Sequence, residues 1–470
     1  MKMLLNGEWV ERAARMEVRD PQDDSLVDTV PQANAADMNA AIAAAVCGFE
    51  RTRRLSVHER HAILTRAADL VAARREEFAY TIAREGIKTI REARKEASRC
   101  VDTLRISAEE TRHLTGETIP FDQRQGSENR FGFYIREPIG VIGAIAPFND
   151  PLNLVAHKIG PALASGNTII VKPHSETPLS ALRLAEAIQE AGAPAGMLQV
   201  ITGRGSEVGD LLVSDPRVRM ISFTGSRATG ETIMRKIGLK KVGMELGSNA
   251  PVIVMADADL ELAVSANVSG AFWAAGQNCL HVQRLLVHEA SYDAFVPRFV
   301  AGARAYRVGD KLDEATDMGP IINRAEALRI ERTVNEAIAA GATVLCGGER
   351  HGNFYAPTVM TDVPDSCALA QEEIYGPVTI VSRIRDLEDA IQRANAVDYG
   401  LQAGIFTRDL QSAFQAMREL RVGGVMINDS TDYRIDAMPF GGVKGSGLGR
   451  EGIRFAVHEM TEPKVVCFNL

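Results

Sequence analysis

The sequence predicts an α/β fold with two parallel-sheet domains. Three observations carry this. Short apolar runs rich in β-branched residues recur after Pro138. Helical segments with apolar residues three and four apart separate those runs. The length, 470 residues, exceeds what one core usually serves and favours two or three domains. Strand alternating with helix is the pattern of a parallel sheet covered on both faces.

The first half opens with helices. From Ser56 to Ala83, Ile63, Ala67, Leu70 and Val71 fall on one face, with Arg and Glu between them. A second helix is expected over Thr89–Ala108, with the stripe Ile90, Ala93, Ala97, Val101, Leu104 and Ala108. Strands are then expected at "IGVIGAIAPF" (139–148), "TIIVK" (168–172), "LQVI" (198–201), "VRMISF" (218–223) and "VIVM" (252–255). Helices at 152–164, 178–191, 205–213 and 227–237 lie between them. A second series follows: "RLLVH" (284–288), "VTIV" (378–381), "QAGIF" (402–406) and "GGVMIN" (423–428), with helices near 291–305, 324–340 and 410–420. The two sheets join near 246–251. The polar segment 114–133 reads as a hairpin arm.

Composition excludes several function classes. A net charge of −8 argues against nucleic acid as a main partner. No apolar run reaches the ~18 residues of a membrane span, and "MKMLLNGEWV" turns polar too soon for a secretory leader. The six cysteines form no CxxC pair and have no His cluster beside them, so neither a zinc site nor a disulfide framework is expected. A reduced, cytoplasmic protein without metal is the expectation.

Several local motifs point to chemistry. "ITGRGSEVG" places glycines at 203, 205 and 209 between a strand and a helix, the context of a dinucleotide loop, although one residue longer than GxGxxG. "FTGSRATG" (223–230) is a second Gly-rich strand–helix junction, suited to phosphate. Glu245, in "KVGMELGSNAP", ends an apolar strand, where desolvation favours a neutral carboxyl able to work as a base. Cys279, in "FWAAGQNCLHVQR", follows a Gly-Gln-Asn step. A strand-end salt bridge for Glu245 and a buried thiol for Cys279 are the ordinary alternatives for each residue alone.

Cys279, Glu245, "APFNDPLN", "VKPHSETP", "QEEIYGPV" and "MPFGGVKGSGLGREG" together, over essentially the whole chain, resemble the aldehyde dehydrogenase superfamily. The resemblance implies two Rossmann-like domains and an arm. The dinucleotide-binding part would be 1–113 with 134–247, and the catalytic part 248–452. Segments 114–133 and 453–470 would form a β-hairpin and C-terminal strand for oligomerisation, giving a homodimer or homotetramer. It implies a nucleophile at Cys279, an oxyanion-holding amide at Asn149 and an activator of the hydrolytic water at Glu245. Retention of Glu245 implies a free acid as product. The cofactor would be NAD or NADP. Lys172 would meet the adenine ribose and Glu373 the nicotinamide ribose, with Tyr375 and Phe148 as flanking aromatics and Gly225 and Ser226 at the phosphate turn. Three departures stand out: Ser175 replaces a Glu that repels a 2′-phosphate, which leaves NADP open; Ser248 gives "ELGS"; Phe148 gives "PFN".

In the family the aldehyde tunnel is lined from three places, which here offer Arg99, His157 and Arg434. Converging cationic and hydrogen-bonding groups suit an anionic head. These segments look like those of phosphonoacetaldehyde dehydrogenases, the leading expectation. They also look like those of enzymes taking sulfonated aldehydes, lactaldehyde or glyceraldehyde 3-phosphate, and succinate semialdehyde stays in the field. Asn278, where phosphate-handling relatives carry Arg, suits a head of lower charge or a phosphonate held by fewer cations, and so leaves the head group undecided. Each residue has a structural alternative: Arg99 paired with Asp102 or Glu96, His157 satisfied in the core, Arg434 bracing Asp432 and Asp436. A non-catalytic relative that kept the fold is the competing class, and the five intact groups Cys279, Asn149, Glu245, Lys172 and Glu373 weigh against it.

Overall fold

The computed structural model describes residues 1–470. It contains two large sheets and a smaller antiparallel one. The first sheet runs Glu8–Val10, Met3–Leu5, Leu198–Val200, Thr168–Lys172, Val141–Ile145, Val218–Thr224, Lys241–Glu245 and Gly447–Leu448. Its five central strands are parallel. The strand Val141–Ile145 sits between Thr168–Lys172 and Val218–Thr224, so the chain order reverses there. Ligands of such sheets bind beyond the carboxyl ends of the strands at that reversal.

The second sheet orders Thr343–Cys346, Thr358–Thr361, Val378–Ile384, Val282–His288, Ala250–Val254, Gln402–Phe406 and Gly424–Ile427. All but the first pair in parallel. The expected strands all appear, shifted at most by a few residues at their ends. Two further strands at 343–346 and 358–361, a helix Leu260–Phe272 and a helix Leu387–Asn395 were not expected.

The expected helix 56–83 is two helices, Val57–Ala73 and Arg75–Glu85. Arg74 between them leaves the helical region with φ −107° and ψ 20°. The next helix, Ile90–His113, starts one residue after Thr89. Thr89 accepts from Glu92 N–H while Glu92 reaches back to Thr89 N–H, a capping box. Asn34 and Asp37 build the same device before Ala35–Thr52, a helix the apolar pattern did not reveal.

The smaller sheet pairs Thr461–Asn469 with Arg130–Pro138, and the latter with Glu117–Ile119. It leaves Phe131, Val465 and Phe468 exposed. The C-terminal segment does not start as a strand. Ile453–Glu459 is a helix whose Ile453 and Val457 join the first core, because its apolar residues lie on one side facing the helices Ile90–His113 and Asn153–Ala164. No helix is long and apolar enough to cross a membrane.

Candidate active site

A cavity of about 1170 Å³ opens between the two large sheets. Cys279, Glu245 and Asn149 line one end, and Lys172, Ser175 and the 224–233 junction line the other. The spacing of the sequence motifs gave no hint that one continuous cleft would join them. Strand ends explain it: Lys172, Thr224 and Glu245 close three strands of one parallel sheet, and Asn149 follows the fourth, Val141–Ile145, which lies between the strands ending at Lys172 and Thr224.

Cys279 is half-buried, at the end of an irregular turn. Three residues before it in succession have positive φ: Ala274 at 51°, Ala275 at 54° and Gly276 at 65°. Alanine in that region costs about 1–2 kcal/mol per residue. Gly276 has its own reason, since a Cβ there would collide with the Gly376 carbonyl. Burial pushes the Cys279 thiol up to about 12, against the pull of the Arg434 cation. The resting thiol is therefore protonated.

Glu245 is buried, and its Oε2 has no hydrogen-bond partner. Burial first, and the Glu451 carboxylate second, raise its pKa well above the usual carboxylate range. Burial opposes ionisation of Glu451 as well, yet Lys158 and Arg434 hold it down at about 2. Burial thus favours the neutral form of Glu245, while Lys158 and Arg434 favour the charged form of Glu451. Asn149 is buried too, and its Oδ1 is unpartnered.

At the other end Lys172 is buried, and Pro173 O is the acceptor for its Nζ, at 3.0 Å. Burial lowers this ammonium to about 8. Glu373 accepts from Ser248 N–H at 2.8 Å, and burial raises its carboxyl to about 8. Gly247, with φ 85°, lets Glu373 come this close, because a Cβ would strike its carboxylate. Phe148 packs edge-on against both Tyr375 and His174, at 5.7 and 5.3 Å between centroids. Ser226 caps the helix Arg227–Lys236, which points its N-terminus into the cleft beside Gly225. Ser175 donates to Gly203 O at 3.2 Å and brings no charge. The Gly203–Gly209 loop reaches the same cleft through Gly205 and Gly209, as a π turn rather than a plain helix start. Backbone donors, a helix N-terminus and one weakly paired ammonium fit a dinucleotide with ribose hydroxyls and a pyrophosphate.

The third group of expected residues meets in a buried ion network. Arg99 binds Asp436 at 2.8 Å and Asp150 at 3.4 Å. Neither Asp102 nor Glu96 is its partner. Glu96 is engaged by Lys88 and by the N–H groups of Leu152 and Asn153. His157 Nε2 lies 2.8 Å from Asp436, and burial lowers the imidazole, so it is neutral. Burial works against the Asp436 carboxylate, but His157 and Arg99 hold it well below the usual range. Arg434 pairs with Glu451 at 3.2 Å, not with Asp432 or Asp436, and lies 3.7 Å over the Phe440 ring. Its Nε is buried without a partner. Asn278 turns inward: its amide donates to Trp273 O and accepts from Leu280 N–H. His281 also faces away, toward Val378 O.

Asp150, Lys158 and Glu451 escaped the sequence reading, and Asp436 entered it only as a partner for Arg434. Asp150 directly follows Asn149, and Glu451 ends the "GLGRE" motif, so both were visible. The pairing of Arg99 with Asp436 across 337 positions, and of Lys158 with Glu451 across 293, was not.

The sequence matches the aldehyde dehydrogenase family over residues 9–466. It is 50% identical to aspartate-semialdehyde dehydrogenase 1 of Pseudomonas canavaninivorans, over 97% of each chain. It is 46% identical to 3-sulfolactaldehyde dehydrogenase of Priestia aryabhattai, over 100% of this chain and 98% of that one. The NADP-dependent glyceraldehyde-3-phosphate dehydrogenase of Bacillus halodurans, solved with NADP, superposes with a TM-score of 0.97 at 40% identity, covering 100% of this chain and 99% of that one.

Proposed function

This chain belongs to the aldehyde dehydrogenase family and is an NAD(P)-dependent aldehyde dehydrogenase, and from that premise we propose that it oxidises a short aldehyde with a monoanionic head to the free acid. The observation that carries the head group is the buried, unpartnered Nε of Arg434 beside Cys279. A buried donor without an acceptor is unfavourable unless a ligand supplies one.

Charge counting sets how much anion the tunnel takes. Lys88, Arg99, Lys158 and Arg434 face Glu96, Asp150, Asp436 and Glu451. Four cations meet four carboxylates, so no surplus charge awaits a dianion. Asn278, turned into its own loop, adds none. A sulfonate, or a hydroxyl with a carboxylate, suits this wall better than the phosphonate of phosphonoacetaldehyde. Three relatives act, by name, on aldehydes bearing a carboxylate, a sulfonate or a phosphate.

The residues divide the reaction as follows. The Cys279 thiol passes its proton to water in the cleft, and the resulting thiolate Sγ bonds to the aldehyde carbon. Asn149 Nδ2 and the Cys279 N–H hold the oxygen that becomes negative, giving a thiohemiacetal. NAD(P) held in the cleft would supply the hydride acceptor, and loss of hydride from that carbon would leave a thioester on Cys279. Glu245, once ionised, takes a proton from water as the water attacks the thioester, and Cys279 leaves as thiolate. Lys172, Glu373, Gly225 and Ser226 hold the cofactor, and Ser175 leaves room for the 2′-phosphate of NADP beside NAD. The exposed apolar side chains of the small sheet support its use between subunits of a homodimer or homotetramer in the cytoplasm.

The test is kcat/KM with NAD and with NADP for 3-sulfolactaldehyde, succinate semialdehyde, lactaldehyde, phosphonoacetaldehyde, glyceraldehyde 3-phosphate and propanal. A monoanionic aldehyde should lead propanal by about 100-fold, roughly 2.7 kcal/mol. A phosphonate or phosphate in front would overturn the charge argument. Parity with propanal would make Arg99, His157 and Arg434 scaffold.

A further inference from the structure

The three left-handed residues ahead of Cys279 need something to hold them. Alanine does not choose this backbone on its own. A side chain from a distant helix meets the turn where it begins: Ala274 N–H donates to Glu92 Oε1 at 2.8 Å. Glu92 stands on the helix Ile90–His113, 182 positions away. Its other oxygen accepts from Thr89 N–H at 2.8 Å and from Thr89 Oγ1 at 3.1 Å. The carboxylate is buried and makes no ion pair within reach. Lys88, on the same segment, lies 4.7 Å over the ring of Trp273, the residue before the turn. Gln277 closes the far side, accepting from Ile322 N–H at 3.0 Å and donating to Pro320 O at 3.1 Å.

We propose that Glu92 is a positioning residue for Cys279: it clamps the left-handed turn through the Ala274 amide and so fixes where the thiol stands. A buried carboxylate used to cap its own helix would need no second acceptance from another sheet's loop. The bond to Ala274 ties the nucleophile's loop, in the second sheet, to the helix layer over the first. The thiol is thereby aimed at the cleft that both sheets line. The inference rests on Cys279 being the nucleophile. If Cys279→Ala retained dehydrogenase turnover, that reading would fail by itself, whereas the clamp is read from thiol reactivity.

Three variants of the full-length protein separate the clamp from the helix cap. Glu92→Ala removes both. Thr89→Ala removes cap contacts and keeps the Ala274 bond. Glu92→Gln keeps an oxygen for Ala274 N–H. The readouts are the iodoacetamide alkylation rate of Cys279, followed by peptide mass spectrometry, and kcat and KM for the aldehyde and cofactor. In Glu92→Ala the alkylation rate and kcat should each change by about tenfold or more, with cofactor KM within about twofold. Glu92→Gln should recover most of both. Thr89→Ala should lower the melting temperature yet leave alkylation and kcat as in the parent. Equal losses in Thr89→Ala and Glu92→Ala would overturn the clamp and leave a helix cap. So would unchanged alkylation in a folded Glu92→Ala. If Glu92→Ala does not fold, Glu92→Asp, which is one methylene shorter and withdraws its oxygen from Ala274 N–H, reads the same bond; parental alkylation there would overturn the proposal.

Discussion

The two ends of the cleft are built on different plans. The cofactor end uses backbone: strand ends, Gly-rich turns and a helix N-terminus, with Lys172 and Glu373 each held by one main-chain contact. The end proposed for the aldehyde, lined by Cys279, Glu245 and Asn149, is backed by charged side chains outside the cleft lining, and nearly every charge among them already has an opposite. Arg99, His157, Asp150 and Asp436 answer one another, as do Lys158, Arg434 and Glu451. The first end waits for a ligand to complete it. The second leaves open the Arg434 Nε, Glu245 Oε2, Asn149 Oδ1 and His157 Nδ1, while Asp150 Oδ1 meets only the Lys88 ammonium. Where few groups are left open, those few decide the chemistry and the specificity.

The sharpest break of this contrast is Cys279→Ala. It should lower turnover by about 10⁴-fold or more while calorimetric cofactor binding stays within about twofold of the parent. Loss of cofactor binding would mean that the two ends are not separable. Glu245→Gln comes next. Steady-state turnover should fall by about 10²–10⁴-fold, yet rapid mixing should still show one equivalent of NAD(P)H per site. Absence of that burst would place Glu245 before hydride departure.

The pH profile follows from the same groups. Cys279 and Glu245 both act deprotonated, and both are held above their ordinary values. Their active forms therefore grow as pH rises, and kcat/KM should climb through neutrality into the alkaline range. A flat or falling profile would show that bound substrate and cofactor reverse the burial effect. The smallest expected effects concern the tunnel wall. Arg434→Ala should cost an anionic aldehyde about 1.5–3 kcal/mol in kcat/KM relative to propanal. Arg99→Ala should discriminate less, because two carboxylates already occupy its guanidinium. A larger discrimination by Arg99 would move the head group to that side.

The helices and parallel strands were legible because their apolar periodicity survives in a single chain. The nucleophile turn was legible only as a motif. Nothing in "FWAAGQNC" announces three left-handed residues, since Ala has no preference for them and the Glu92 contact that holds them lies far off in sequence. The partners of Arg99 and Arg434 were misplaced for the same reason. Near neighbours such as Asp102 and Asp432 are the pairs that local spacing suggests, and burial selects distant carboxylates instead, because a buried charge must be matched by whatever folds against it.

What the sequence determined by itself is the α/β alternation and the family, and it singled out Cys279, Glu245 and Asn149 as the candidate reacting groups. These are encoded in periodicity and in contiguous motifs, which need no third dimension to be read. Tertiary structure alone decided which of two neighbouring acids is pushed toward its neutral form and which cations are already spent on carboxylates. It also decided that one arginine nitrogen is left open beside the thiol. Burial and long-range pairing set those properties, and both arise only when segments separated by hundreds of residues meet.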